Sequence, residues 1–236
     1  MDKHELAEEI QTYLKSEGAD IIGFADLKNL PAEVRRDYPF GISIAVALDP
    51  EIVSKIINGP DLEYLQEYLR ANELLGQLGE KAACFLEEKG CKAEWFSATN
   101  SEIDWDTLST RLPHKTVATR AGLGWIGKCA LLITREYGSA VRITSILTDA
   151  ELPVGTPKND SDCGECHACV DICPGEAVTG LEWEPGISRD LLYDPFKCRE
   201  VARKWQRERE GITDNICGMC ITACPWTQRY LDETAR

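Results

Sequence analysis

Apolar side chains fall at helical spacing from the start of the chain. Leu6, Ile10, Tyr13 and Leu14 share one face of a predicted helix over 3–17, and Gly18 follows as a stop. Two short apolar runs come next, 20–25 (DIIGFA) and 42–48 (ISIAVAL), each bounded by turn-forming residues in the manner of buried strands. Between 62 and 89 the helical period returns through Leu62, Leu65, Leu69, Leu74, Leu75, Leu78, Ala82 and Phe85. Gly76 and Gly79 are expected to break or kink that helix, because glycine loses the most backbone freedom in a helix. Residues 92–97 (KAEWFS) predict a further strand.

Pro113 predicts a short helix through Ala121, since a proline in the first helical turn forfeits no hydrogen bond. Then comes GLGWIGK, residues 122–128, followed by the apolar run Cys129–Ile133, a turn at Tyr137-Gly138 and a β-rich run over Ala140–Leu147. The two runs with a short loop between them predict a hairpin. Two prolines, a glycine and several polar residues over 151–162 mark a boundary. The expected organisation is an α/β (α+β) domain with a mixed sheet over 1–153 and a separate cysteine-rich module over 154–236.

A chain of 236 residues with 43% hydrophobic side chains can bury a core, which excludes disordered and fibrous classes. No run approaches the ~18 apolar residues of a membrane-spanning helix, and the opening MDKHELAEEI lacks the apolar core of a secretory signal. A cytoplasmic protein with no membrane partner is expected. With 40 acidic and 26 basic side chains the formal charge is −14, which argues against a broad footprint on nucleic acid.

The eleven cysteines change the picture. Three are scattered, Cys84, Cys91 and Cys129, and the other eight crowd between Cys163 and Cys224. In a reducing compartment such crowding points to metal rather than to disulfides. Residues 163–174 read Cys163-x2-Cys166-x2-Cys169-x3-Cys173-Pro174, the bacterial ferredoxin run in which the fourth cysteine serves the neighbouring cluster. A second copy, Cys217-x2-Cys220-x3-Cys224-Pro225, has Asp214 where its first cysteine would stand. Cys198, on a helix predicted to begin near Asp194-Pro195, is the natural substitute, with Asp214 as the alternative ligand. The expected module is bacterial-ferredoxin-like and holds two [4Fe–4S] cubanes. Cys163, Cys166, Cys169 and Cys224 would hold the first; Cys173, Cys198, Cys217 and Cys220 would hold the second. A pair of zinc sites, or one cluster with spare thiols, is the competing reading, and zinc ribbons lack the four-cysteine run ending in Cys-Pro.

Ala121–Lys128, the cysteine run to Pro174, Cys198 and the stretch Cys217–Trp226 together resemble the core of the epoxyqueuosine reductases, a family related to the reductive dehalogenases. The resemblance covers roughly residues 110–228 and implies an α/β domain that holds a cobalamin, with the double-cubane module delivering electrons to its cobalt for a two-electron reduction. On that basis Gly122, Gly124, Trp125, Gly127, Lys128 and Cys129 are the candidate cofactor-binding residues. Glycines admit a large flat ligand, Trp125 offers a face, and Lys128 offers a cation. A glycine turn before a strand, with Trp125 in the core, is the structural alternative.

Two departures stand out. The family places an aspartate proton donor shortly before the glycine motif, whereas the matching stretch here is Leu108–His114 and no aspartate is in register. Asp104 and Asp106 lie close by, and His114 is the titratable alternative, so His114 and Lys128 are the candidate catalytic residues. The chain also stops soon after Trp226, where the tRNA-modifying enzymes continue into a helical-repeat region. Arg199, Arg203, Lys204, Arg207 and Arg209 interleave with Glu200, Glu208 and Glu210, the pattern of a solvated, ion-paired helix. The expected partners are therefore a low-potential electron donor or acceptor protein and a small organic substrate or corrinoid, with tRNA not expected. The leading expectation is an oxygen-sensitive iron–sulfur reductase. The alternatives are an electron carrier or corrinoid-reducing partner without its own substrate, and a cluster-stabilised sensor. His167, inside the first cluster motif, reads either as a hydrogen-bond donor to a cluster sulfur or as an exposed loop residue; Cys84 and Cys91 read as packing.

Overall fold

The computed structural model describes residues 2–99 and 102–234. In chain order the elements are α1 (Lys3–Ser16), β1 (Ile21–Asp26), β2 (Phe40–Ala47), α2 (Pro50–Lys55), α3 (Leu62–Glu88), β3 (Ala93–Phe96), α4 (His114–Arg120), β4 (Trp125–Ile126), β5 (Leu132–Ile133), β6 (Val141–Thr148), α5 (Ala168–Asp171), α6 (Arg189–Leu192), α7 (Pro195–Glu208), α8 (Met219–Thr222) and α9 (Pro225–Thr234). Among the described residues no helix is long and apolar enough to cross a membrane.

The chain forms two compact units that interleave along the sequence. The first joins the residues up to Val46 with Ala71–Leu123 and Arg142–Lys158; the second joins Ala47–Arg70, Gly124–Val141 and the chain from Asn159 onward. The contiguous division at 153/154 thus differs from the packing, because 47–70 and 124–141 cluster with the cysteine-rich segment.

The first unit is built on a four-stranded sheet of order β1-β2-β6-β3. β1 pairs antiparallel with β2, and β3 antiparallel with β6. Phe24, Ile42, Ile44 and Ile146 on its strands are buried, as are Leu6, Ile10 and Leu14 along the apolar face of α1. Asp2 caps α1 by accepting from the His4 N–H. Tyr13 of α1 stacks on Phe85 of α3 with ring centroids 5.7 Å apart. α3 runs unbroken through Gly76 and Gly79, contrary to the expected kink. A side chain at 79 would press within 3.0 Å of the Trp95 ring, so this glycine makes room for an aromatic. Gly41 does the same on β2, where a Cβ would lie 3.0 Å from Leu27 and from Val117 of α4.

In the second unit, β4 and β5 pair as a two-stranded sheet, Trp125 opposite Ile133 and Ile126 opposite Leu132. This overturns the predicted hairpin between Cys129–Ile133 and Ala140–Leu147. The first run pairs backward with β4, while β6 belongs to the four-stranded sheet. The reason is Gly124: a Cβ there would fall 1.9 Å from the Ile133 carbonyl oxygen, an approach that only glycine permits. Gly138 then brings the chain against Thr227, whose Oγ1 accepts from the Ser139 N–H at 3.0 Å. Tyr137 meets Tyr230 edge to face at 5.1 Å, and Tyr230 donates its hydroxyl to the Leu48 carbonyl at 3.0 Å.

Candidate iron–sulfur site

The second unit gathers the cysteine motifs around a short hairpin. Between β4 and β5 the chain turns at Gly127–Ala130, closed by the Ala130 N–H donating to the Gly127 carbonyl at 2.8 Å, with Lys128 and Cys129 at its two corners. Ala130 has φ +58° at the exit of this turn, a left-handed conformation unusual for a residue with a side chain.

A cavity of about 240 Å³ opens beside the hairpin, lined by Gly127, Lys128, Cys129, Cys163, Cys166, Cys169, Cys224 and Trp226 among others. Four of these are the cysteines expected for the first cluster. Cys224, from the second motif copy, stands with Cys163 and Cys169 closely enough that their charges raise its thiol pKa, burial being the larger cause. Cys173, from the first copy, stands instead with the other group. Desolvation lifts the Cys198 pKa to about 11, and Cys217 and Cys173 add to the rise, although Cys198 as a residue is exposed. Burial likewise raises Cys217, opposed by the Met219 N–H. The Cys173 Sγ accepts from the Ala177 N–H at 3.3 Å.

The motif spacing alone explains this crossing. Short helical turns, α5 over Ala168–Asp171 and α8 over Met219–Thr222, follow the first cysteines of each copy and carry the last cysteine of each copy beyond its own group. Cys198 is presented by α7, which Pro195 opens and Asp194 caps, its carboxylate accepting from the Phe196 and Lys197 N–H groups at 2.9 and 3.0 Å. Asp214 accepts from the Thr213 hydroxyl at 3.1 Å. Among the described residues no three His, Cys, Asp or Glu side chains converge as the ligands of a single ion do. The thiols of the first group surround a volume instead, the arrangement that a multi-atom cluster requires, and an all-thiol donor set suits iron–sulfur chemistry.

Of the remaining candidates, Gly127, Lys128 and Cys129 line this cavity, while Gly122, Gly124, Trp125 and His114 do not. Cys129 is buried and lies between the groups, hydrogen-bonded to Cys169 and to Cys220. The bond with Cys169 pulls its pKa down, but the bond with Cys220 and burial outweigh it and hold the thiol well above its ordinary value. Cys169 is raised chiefly by its bond with Cys129. Trp125 is 1% exposed, its ring edge-on to Trp226 at 5.0 Å, so it is a core residue in this structure and not a free ligand face. Lys128 is also buried, its ammonium donating to the Gly164 carbonyl at 2.6 Å and the Cys166 carbonyl at 3.1 Å. The glycines meet protein atoms. A Cβ at Gly122 would lie 2.6 Å from the Thr156 carbonyl oxygen, at Gly124 1.9 Å from that of Ile133, and at Gly127 2.9 Å from the Ile133 side chain. Their compact backbone serves internal packing.

His114 belongs to the first unit and lines a small cleft with Arg36, Glu102 and Ser145. Its Nε2–H donates to the Ser97 carbonyl at 3.0 Å, which leaves Nδ1 to accept from the Ser145 hydroxyl at 3.0 Å. Burial lowers its pKa to about 4, so the ring is neutral at pH 7 and carries no spare proton there, unlike the acid expected from the sequence. Asp104 holds its carboxyl below the usual range by accepting from the Asp106 N–H and the Thr107 side chain.

Trp205 is a residue that the sequence reading missed. Its buried indole N–H meets no partner at regular hydrogen-bond geometry, and the Cys217 thiol, whose pKa it lowers, is the group that stands against it. The signal was present: Trp205 follows Cys198 by two helical turns on α7 and shares its face.

Fold and cysteine arrangement together define a class, an α/β protein with a ferredoxin-type double-cluster module. Residues 162–227 match the 4Fe-4S double cluster binding domain. The chain is similar to epoxyqueuosine reductases. It is 35% identical to that of Lactococcus garvieae over 165 residues, 69% of this chain and 46% of that protein. It is 33% identical to that of Synechocystis sp. over 132 residues, 52% of this chain and 42% of that protein. The enzyme of Bacillus anthracis matches at 27% identity across 95% of this chain and 65% of its own length. The chain thus spans less than two thirds of these relatives. Among solved structures, a reductive dehalogenase associated with B12-dependent dehalogenation aligns with a TM-score of 0.71 at 18% identity, covering 99% of this chain and 34% of that one. An epoxyqueuosine reductase bound to an epoxyqueuosine-modified tRNA stem loop aligns at 0.64 and 19%, covering 95% and 66%. These neighbours share the fold.

Proposed function

We propose that this protein is an iron–sulfur reductase of the epoxyqueuosine reductase type. In this reading Cys163, Cys166, Cys169 and Cys224 hold one [4Fe–4S] cluster, and Cys173, Cys198, Cys217 and Cys220 hold the other. The observation that carries the proposal is the cavity walled by three cysteines of one motif copy and the last cysteine of the other. When bound, the clusters supply one-electron carriers in series. The chain's own contribution is to fix the thiols and to keep the two groups adjacent through Cys129, which touches a cysteine of each.

The acceptor is the finer part of the proposal. A corrinoid is favoured by the likeness to a B12-dependent dehalogenase, and a small organic acceptor is the other candidate. Gly122, Gly124 and Lys128 already meet protein atoms and Trp125 is packed in the core, which weighs against them as its contacts. The likeness to a reductase bound to a tRNA stem loop also weighs against setting tRNA aside on net charge alone. An epoxyqueuosine-containing stem loop is therefore the first substrate to assay.

Anaerobic reconstitution with iron and sulfide tests the reading, with about eight irons per chain expected. Hydroxocobalamin and a low-potential reductant are then added, and EPR spectra recorded. A stoichiometric, tightly held cob(II)alamin signal with altered axial ligation supports the corrinoid. Full clusters with free cobalamin remove it. An iron content near zero, or zinc retained in place of iron, ends the iron–sulfur proposal itself.

A further inference from the structure

Lys128 is only 4% exposed, and its ammonium is held by two neutral carbonyls, Gly164 at 2.6 Å and Cys166 at 3.1 Å. Among the described residues no carboxylate forms an ion pair with it. Asp162, which lines the same cavity, is paired with Arg135 at 2.9 Å. A buried cation with only neutral partners lacks a counter-charge, an arrangement that folded proteins rarely tolerate. The missing anion has an obvious place. Lys128 faces the cavity walled by Cys163, Cys166, Cys169 and Cys224, and a cluster held by four thiolates is anionic.

We infer that Lys128 is the positioning residue and counter-charge of the cluster in this cavity. It ties down the Gly164–Cys166 loop and raises that cluster's reduction potential. This rests on the iron–sulfur reading proposed above. The fold makes the placement local: Lys128 sits at a corner of the turn between β4 and β5, and the carbonyls it engages belong to Gly164, just after the first cysteine of the motif, and to Cys166, the second. Net charge, hydrogen bonding and solvent exposure set the potentials of such clusters, and a cation held out of water acts on one cluster more than on a second one farther away. The assignment also gives the lysine of GLGWIGK a role that substrate binding does not require.

The test uses the reconstituted 236-residue chain. Lys128→Gln keeps amide donors for the carbonyls and removes the charge; Lys128→Arg keeps the charge. Iron content is measured first, then the midpoint potential of each cluster by EPR-monitored redox titration. The expected result is a Gln variant with full iron in which one midpoint falls and the other holds, and an Arg variant close to wild type. Loss of about half the iron in the Gln variant, restored in the Arg variant, also supports the inference. Unchanged midpoints in a fully loaded Gln variant would overturn it. So would equal shifts of both clusters, or equal defects in the Gln and Arg variants. Wild-type protein that fails to take up iron counts against the iron–sulfur reading instead, so the two failures are distinguishable.

Discussion

His114 shows how surroundings decide what a titratable side chain can do. Its folded pKa of about 4 lies below the ordinary 6.5, so between those values the unfolded chain binds more proton than the folded one. Stability is whole above about pH 6.5 and falls as the pH drops toward 4, by on the order of 3 kcal/mol in all. Chemical denaturation of wild type and His114→Gln at pH 7 and pH 5 should show a smaller loss in the variant; equal losses would place the pH dependence elsewhere. Gly124 gives a second residue-scale prediction. Gly124→Ala drives a Cβ into the Ile133 carbonyl, and a cost above about 2 kcal/mol is expected, read as a lowered thermal midpoint. At this scale the cysteines were legible because their spacing is local. The roles of Lys128 and Trp205 were not, because their partners are a main-chain carbonyl pair and a thiol brought near by folding.

Among the elements, α3 and α7 carry opposite lessons. Gly76 of α3 has a helical backbone and open space where a Cβ would stand, with nothing within 4 Å. Gly76→Ala should therefore stabilise the protein by about 0.5–1 kcal/mol through the backbone entropy of the unfolded chain. A lowered denaturation midpoint would mean that the site is tighter than the structure shows. α7 depends on its cap: Asp194→Ala removes the acceptor of two N–H groups and should cost about 1 kcal/mol. Because this cap orients the first turn before Cys198, iron uptake by the variant should also slow. α1, α3, α4 and α7 were readable from apolar period and proline position. The β4–β5 pairing was not, since a two-residue strand has too little pattern to declare its partner.

For the whole molecule, the question is how many clusters the second unit holds and through which side chains. Cys198→Ala should leave about four irons per chain, while Asp214→Ala should keep about eight. The reverse result would make Asp214 the ligand, which the grouping of Cys198 with Cys173 and Cys217 argues against. The interleaved units add a prediction for truncation. A chain starting at 154 lacks 47–70 and 124–141, and with them Trp125, Cys129 and Ile133 of the core around the cysteines. Its iron content after reconstitution should fall well below that of the full chain.

The sequence alone determined the helices with a clear apolar period, the strands of the four-stranded sheet, and the eight crowded cysteines with their cluster spacing, because each rests on residues near one another in the chain. Only the tertiary structure decided why Gly122 and Gly124 must be glycine, that His114 is neutral, and that Lys128 is buried on two carbonyls. Those properties depend on desolvation and on contacts between distant segments, and neither is written in local pattern.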